Sequence, residues 1–168
     1  MAKSKKSKKK AKTDGSSQMQ VIADNRRARH RFEILEQVEC GLVLIGSEVK
    51  SIREGHISLN EAYVRVENGE LWLIGAGIAE YRQASFWNHK PKRSRKLLVH
   101  KRELKKLSTK AFEKGLTLVP LKMYFNARGI VKLLVGVGRG KKLHDKRQSL
   151  KEADNKRRLG REMRERRK

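Results

Sequence analysis

The large apolar residues of this 168-residue chain are concentrated in its middle, and that distribution limits which part can fold around a core. Residues 21–138 hold all the aromatic residues, together with 22 basic and 12 acidic ones. Residues 1–20 carry a net charge of +6, and residues 139–168 carry +9. Such ends cannot bury enough apolar surface to offset the entropy that ordering would cost. We therefore expect one domain at 21–138, flanked by a Lys-rich arm and a basic tail that are both disordered when free.

The formal net charge is +25, from 43 Lys and Arg against 18 Asp and Glu. So large an excess favours a polyanionic partner, with nucleic acid ahead of a membrane surface. No run approaches 18 apolar residues, and no apolar stretch follows the Lys-rich start as in a secretory signal. The single Cys40 is compatible with a reducing compartment. The sequence thus predicts a soluble, cytoplasmic, basic protein that does not interact with membranes.

Short strands dominate the predicted domain. Residues 63–66 and 71–74 flank Asn68-Gly69, a strong hairpin signal because both turn positions need positive φ. Short antiparallel strands with two or three flanking helices fit a small closed barrel of oligonucleotide-binding type, so the predicted fold class is mainly β. The other predicted strands cover 31–38, 116–125 and 130–137.

Two segments are expected to be helical. Apolar residues recur at helical spacing over 42–52, with Gly55 just past the end. Residues 95–107 place four leucines among six basic residues, which predicts an amphipathic helix with a cationic face. Ser108 is expected to cap a further short turn. Residues 136–140 (Gly-Val-Gly-Arg-Gly) are glycine-rich but lack the Lys and Ser or Thr that open the helix of a phosphate loop. We interpret them as a flexible exit from the barrel.

Three basic segments could contact RNA, and each has a plainer interpretation. Residues 25–30 (Asn-Arg-Arg-Ala-Arg-His) suit phosphate and base contacts, although a basic segment that is merely solvated would have the same composition. The loop at 87–93 interleaves Trp87 with basic groups, as stacking surfaces do, but one exposed Trp in a loop is ordinary. The tail from Gly140 onward has high helix propensity and could fold onto RNA or simply aid solubility.

Catalytic signals are weak. The five histidines are scattered without metal-ligand spacing, and no Walker or nucleophile-elbow motif is present. We expect no catalytic residue, no metal and no cofactor. If the protein is an enzyme, the alternative function is an RNA-processing nuclease that uses His30 or His144 as general base.

Four colinear motifs resemble the small protein B family, the tmRNA-binding proteins of bacterial trans-translation. Together they span roughly residues 20 to 150. They are 25–30 (Asn-Arg-Arg-Ala-Arg-His), 46–53 (Gly-Ser-Glu-Val-Lys-Ser-Ile-Arg), 94–100 (Ser-Arg-Lys-Leu-Leu-Val-His) and 138–147 (Gly-Arg-Gly-Lys-Lys-Leu-His-Asp-Lys-Arg).

The resemblance implies an oligonucleotide-binding-type barrel that acts without catalysis. Its implied partners are the tRNA-like domain of tmRNA, the stalled ribosome with its rRNA and, through alanyl-tmRNA, elongation factor Tu. We expect a monomer. A barrel protein bound permanently to the ribosome, or one of initiation type, is the alternative.

The same resemblance implies two sets of RNA contacts, one on the barrel and one in the tail. The tmRNA-facing set is Asn25, Arg26, Arg29, His30, Glu39, Arg95, Lys96, Leu98 and His100. The tail set, which would enter the decoding centre and the empty mRNA channel, is Lys141, Lys142, His144, Asp145, Lys146 and Arg147.

Overall fold

The computed structural model describes residues 19–84 and 86–142, and five further residues (155, 158, 159, 162 and 163), which are helical. A 3₁₀ turn lies at Arg82–Ala84. The helices and strands are β1 (Gln20–Asp24), α1 (Arg26–Arg31), β2 (Phe32–Leu42), α2 (Gly46–Arg53), β3 (Ile57–Ser58), β4 (Tyr63–Glu67), β5 (Glu70–Ile74), β6 (Gly77–Ile78), β7 (Arg95–Leu98), α3 (Lys101–Phe112), β8 (Leu116–Phe125) and β9 (Val131–Gly140).

Six antiparallel strands pair around a ring. Their order is β8-β4-β5-β7-β2-β9, and β9 pairs again with β8, so the ladder closes on itself. β1 extends the sheet by pairing with one end of β8, while β4 pairs with the other end of that strand. β3 and β6 form a separate two-stranded ladder. The predicted small antiparallel barrel with flanking helices is confirmed.

Both predicted hairpins are present. Asn68 and Gly69 have φ of 50° and 73° and turn β4 into β5. The second hairpin joins β8 to β9, and its turn is closed by the Asn126 side chain, whose Oδ1 accepts from the N–H groups of Arg128 and Ile130. Each turn therefore has the local chemistry that a tight reversal between antiparallel strands needs.

The prediction of a helix over 95–107 is wrong for its first six residues, of which Arg95–Leu98 form strand β7. Arg95 and Leu97 point inward and Lys96 and Leu98 are more exposed, which is the two-residue period of a strand between β5 and β2. The helix begins only at Lys101, after the cap residue His100. Burial of Arg95 and Leu97 within the barrel outweighs the helical spacing of the leucines.

Two smaller boundary predictions are also wrong. Leu42 ends strand β2 instead of starting a helix, since β2 is longer than expected and continues to that residue. Ser108 lies inside α3 and caps nothing.

Residues 136–140 are part of β9 and do not form a flexible exit. A Cβ at Gly136 would lie 2.9 Å from Cδ1 of Leu121, and one at Gly138 would lie 2.9 Å from Cβ of Phe32. Gly136 and Gly138 are therefore required for close packing on this face of the barrel.

The apolar residues form two clusters on opposite sides of the barrel wall. The inner one fills the barrel, and Ile52 of α2 and Leu107 of α3 are fully buried in it. The outer one is small: Ala28 of α1 packs with Val119 and Leu121 of β8. It attaches α1 to the outside of the barrel, since burying such a leucine stabilises by about 1.5–3 kcal/mol.

Candidate RNA-binding surface

Asn25 fixes the start of α1. Its Oδ1 accepts from the Ala28 N–H at 3.0 Å, and its Nδ2 donates to the carbonyl oxygens of Leu59 at 2.9 Å and Pro120 at 3.1 Å. The residue is only 3 % exposed. The side-chain donors and acceptor of Asn25 are thus used to cap and hold the helix, and its contact with RNA stays a prediction.

The basic residues of α1 face solvent because Ala28 is the one that packs inward. Arg26, Arg27, Arg29 and His30 are all exposed. Arg29 approaches Asp24 at 3.7 Å with half of its side chain still in solvent, so that contact holds the guanidinium only weakly. The helix thus presents a compact cationic surface, and Asn25 and Ala28 hold the helix in place.

Glu39 projects from the outside of β2 and is held there by two neighbours. The Tyr124 hydroxyl donates to its carboxylate, and Nζ of Lys132 lies 2.9 Å from the same group. These contacts, from Tyr124 first and Lys132 second, lower the pKa of Glu39. Burial and the same hydrogen bond raise the pKa of Tyr124 to about 12, so the hydroxyl stays a donor.

Leu98 lies on the same outward face as Glu39. It pairs with Gly41, two residues along β2 from Glu39, and Gly41 also pairs with Lys132. Leu98 is 51 % exposed, and a Cβ at Gly41 would lie 3.4 Å from its Cβ. The row of exposed groups therefore crosses three neighbouring strands.

Leu134 joins this face to α1. It pairs with Glu39 across β2 and β9, and it packs against the outer cluster that contains Ala28. The structure thus brings five of the predicted residues to one continuous side of the molecule. We call this side the arginine face, and it comprises Arg26, Arg29, His30, Glu39 and Leu98.

The remaining predicted barrel residues differ in position. Lys96 is half-buried beside Leu98 and forms an ion pair with Glu70. His100 is exposed but serves as the cap of α3, where its Nδ1 accepts from the Arg102 N–H at 3.4 Å. These two residues lie at the margin of the face.

Arg95 is fully buried, away from the exposed residues of the arginine face, and its contact with RNA stays a prediction. Its Nε donates to Glu48 at 2.8 Å, and its Nη1 donates to the carbonyl oxygens of Ala76 and Arg93, both at 2.8 Å. Because a buried charge must be paired, the guanidinium is fully committed within the protein.

Glu48 is the residue that sequence reasoning missed. Burial alone would raise the pKa of its carboxyl, but hydrogen bonds from Arg93 and from the Ile45 N–H, with the charge of Arg95, lower it overall. The available signal was its position on the inner side of a short helix, one turn before Ile52.

The tail leaves the barrel beside α1. The Lys141 N–H donates to the carbonyl of Arg31 at 3.0 Å, and its Nζ lies 3.4 Å from the carbonyl of Arg29. Lys142 is exposed. Four predicted tail residues lie outside the described residues, namely His144, Asp145, Lys146 and Arg147.

Among the described residues, none of the helices is long and apolar enough to cross a membrane. Within the same part of the chain, no group of three or more His, Cys, Asp or Glu side chains is placed to hold a metal ion.

Comparisons with known proteins agree on one family. The family described as SmpB protein matches residues 22–165. An SsrA-binding protein of Rhodopirellula baltica is 57 % identical over 85 % of this chain and 81 % of its own length. One of Mesorhizobium japonicum is 53 % identical over 87 % and 92 %.

A solved structure is also similar. It comes from work titled "tmRNA-SmpB: a journey to the center of the bacterial ribosome" and has 53 % identity and a TM-score of 0.61. The match covers 72 % of this chain and 85 % of the solved one.

Proposed function

Because the chain belongs to the SmpB family, we propose that it binds the tRNA-like domain of tmRNA and delivers that RNA to stalled ribosomes. The observation that carries the proposal is the arginine face, where an exposed cationic helix and an outward barrel surface form one continuous side. Relatives named SsrA-binding proteins support the choice of RNA.

The arginines supply affinity. A guanidinium fork donates two parallel hydrogen bonds to a phosphate, and folded RNA exposes many phosphates. Arg26 and Arg29 need little reorganisation because Asn25 and the outer cluster already hold α1 in place. Pre-organisation of this kind lowers the entropic cost of binding.

Glu39 and Leu98 supply selectivity. A carboxylate repels phosphates but accepts hydrogen bonds from base amino groups, so Glu39 favours a site where a base edge is exposed. Like any carboxyl of ordinary pKa it is ionised at neutral pH, and its lowered pKa keeps it ionised in more acidic solution as well. Leu98 offers an apolar contact beside it for a base or ribose.

The basic tail serves the ribosome. Lys141, Lys142, His144, Asp145, Lys146 and Arg147 contact rRNA near the decoding centre, and the rest of the tail enters the empty mRNA channel. A filled channel excludes the tail by volume and charge, which restricts the factor to ribosomes without a message. The chain acts in the cytoplasm as a binding factor, and peptidyl transfer belongs to the ribosome.

The first experiment measures selectivity. The affinity of the full chain for a tRNA-like fragment of tmRNA is compared with that for a random RNA hairpin of equal length, over a series of salt concentrations. Tighter binding to the tRNA-like fragment, with a steep fall as salt rises, is expected. Equal affinity for the two RNAs would overturn the assignment.

The second experiment separates the barrel from the tail. The truncation should start after Lys142, because β9 continues to Gly140 and Lys141 is bonded to α1. Removing 143–168 should leave tmRNA affinity within about twofold and abolish tagging of stalled chains. Loss of affinity would instead move the RNA-binding site into the tail.

A further inference from the structure

Two adjacent aromatic side chains, Phe86 and Trp87, project from the connection between β6 and β7. They are 99 % and 91 % exposed, more than any other large hydrophobic residue in the described part of the chain. Neither contributes to the inner or the outer apolar cluster. A neighbouring pair of exposed rings is a feature of interaction sites, since aromatic faces stack on flat partners.

The residues that follow these rings are firmly held. Asn88 exchanges two hydrogen bonds with the Tyr81 backbone, donating from Nδ2 at 2.9 Å and accepting at Oδ1 at 3.1 Å. His89 is 4 % exposed, and its ring nitrogens lie 3.0 Å from the Ser47 hydroxyl and 3.3 Å from the Ile78 carbonyl. The chain is therefore anchored directly beside Trp87.

The buried ion cluster holds the other end of the same segment. Arg93 makes two hydrogen bonds to Glu48, at 3.1 and 2.7 Å. Arg95 donates to the Pro91 carbonyl at 3.1 Å, and that carbonyl also accepts from the Ile78 N–H. We call residues 86–94 the aromatic loop. Its two rings stand on a base that is fixed before any ligand arrives.

The charge around the rings identifies the kind of partner. The aromatic loop contains three basic residues and no acidic one. Lys90 and Lys92 are exposed, and Lys92 is only loosely paired with Glu61, at 3.5 Å with both side chains mostly in solvent. Flat rings flanked by exposed cationic groups match a nucleic-acid strand, which has a π-face at each base and an anion at each phosphate.

The aromatic loop shares a cleft with α1, the helix that carries the arginines of the arginine face. Lys92 and Arg27 of α1 line one cleft of about 250 Å³, together with Ser58, Asn60 and Glu61, the exposed carboxylate that pairs loosely with Lys92. A single RNA that lies against α1 can therefore reach the loop across this cleft without leaving the protein surface.

We propose that Phe86 and Trp87 form a stacking platform for an unpaired base of the same tRNA-like RNA that the arginine face binds, with Lys92 and Arg27 on the phosphates between the two contacts. The proposal rests on the proposed function and extends its RNA-binding surface. The platform adds affinity without reading sequence, because all four bases can stack.

The test uses the full chain in a Trp72→Phe background, where Trp87 is the only tryptophan. Stacking brings a base against the indole, so Trp87 fluorescence should be quenched in step with binding of a tRNA-like fragment. Phe86→Ala with Trp87→Ala should weaken binding by about tenfold or more, whereas Trp87→Tyr should restore most of it. Phe112→Ala, an exposed aromatic residue of α3, is the matched control and should change nothing.

The outcomes separate this proposal from the one above. If the tRNA-like fragment binds the unmodified chain no better than a random hairpin, the proposed function fails. If it binds selectively but the double variant binds equally well and Trp87 is not quenched, only the stacking platform is overturned. If ribosomes free of tmRNA quench Trp87 and the fragment does not, the partner is rRNA and the platform as proposed is also overturned.

Discussion

Residues 26–31 and 92–96 are two basic segments of similar composition that have opposite roles in the structure. The first, Arg-Arg-Ala-Arg-His-Arg, is a short helix whose arginines face solvent. The second, Lys-Arg-Ser-Arg-Lys, leads into β7 and places Arg95 in the interior against Glu48. Arginine content therefore does not decide whether a segment binds RNA. The deciding features are the direction of each side chain and a buried acid that can neutralise it.

The two basic segments also lie beside each other, at one shared cleft. The buried cluster supports α2 and the aromatic loop, and Lys92 of that loop shares a cleft with Arg27 of α1. The buried charges of Glu48 and Arg95 thus stabilise the part of the fold that lies next to the exposed charges of Lys92 and Arg27.

The largest effect is expected for Arg95→Ala. Glu48 would lose a buried partner, and removing one member of a buried pair costs about 3–5 kcal/mol of the free energy of unfolding. Urea denaturation measures it. Arg26→Ala, which removes an exposed arginine, is the control and should change stability by less than about 0.5 kcal/mol. Equal losses for the two variants would erase the distinction between the segments.

Next in size is the effect of Arg26→Ala with Arg29→Ala on RNA binding. Each lost guanidinium should weaken binding to the tRNA-like fragment by about tenfold. The slope of log affinity against log salt should become shallower by about 1 for each arginine. Lys105→Ala with Lys106→Ala, two exposed cations of α3, is the matched control for net charge. Equal weakening in both double variants would mean that only total charge matters.

A smaller loss is expected for Asn25→Ala. The variant removes a helix cap and leaves two backbone carbonyls without their donor, at a cost of about 1–2 kcal/mol in the free energy of unfolding. Asn60→Ala, an exposed asparagine, should cost far less. RNA affinity should fall only modestly, because the arginines of α1 remain although the helix that carries them is held less firmly. A loss as large as that of the double arginine variant would return Asn25 to direct contact.

The smallest effect concerns Tyr124→Phe and pH. Glu39 has a lowered pKa in the folded chain, so its stabilising contribution is present above its ordinary pKa and is lost as the pH falls through the folded value. Without the tyrosine hydroxyl the pKa of Glu39 should rise toward its ordinary value, and stability should depend less on pH in the acidic range below that value. Carboxyl titration by NMR measures the shift, and Tyr63→Phe is the control. An unchanged Glu39 pKa would show that Lys132 alone holds the carboxylate.

Local signals predicted the hairpins well. Asn68-Gly69 specifies its own turn, and the largely apolar run 116–125, bounded by Gly115 and Asn126, indicates a strand, so neither needs information from distant residues. Residues 95–98 could not be assigned in this way. Their leucines fit a helical period as well as a strand, and the choice depends on Glu48, which is distant in sequence but adjacent in the barrel.

The candidate site was predictable in part for the same reason. The resemblance placed Arg29 and Leu98 in one contact set although they lie 69 positions apart, and the barrel brings them to one face. It also included Asn25 and Arg95, which the structure shows to be buried. A shared motif cannot distinguish a residue that touches a ligand from one that holds the contact residues in place.

Footprinting on full-length tmRNA tests the account most directly. Hydroxyl-radical cleavage of the RNA is measured in the presence of three proteins and compared. They are the full chain, the variant with both Arg26→Ala and Arg29→Ala, and the chain truncated after Lys142. We expect protection within the tRNA-like domain, lost in the arginine variant and retained in the truncated chain. Protection that lies elsewhere in the RNA, or that survives loss of the arginines and disappears with the tail, would contradict the assignment of the arginine face.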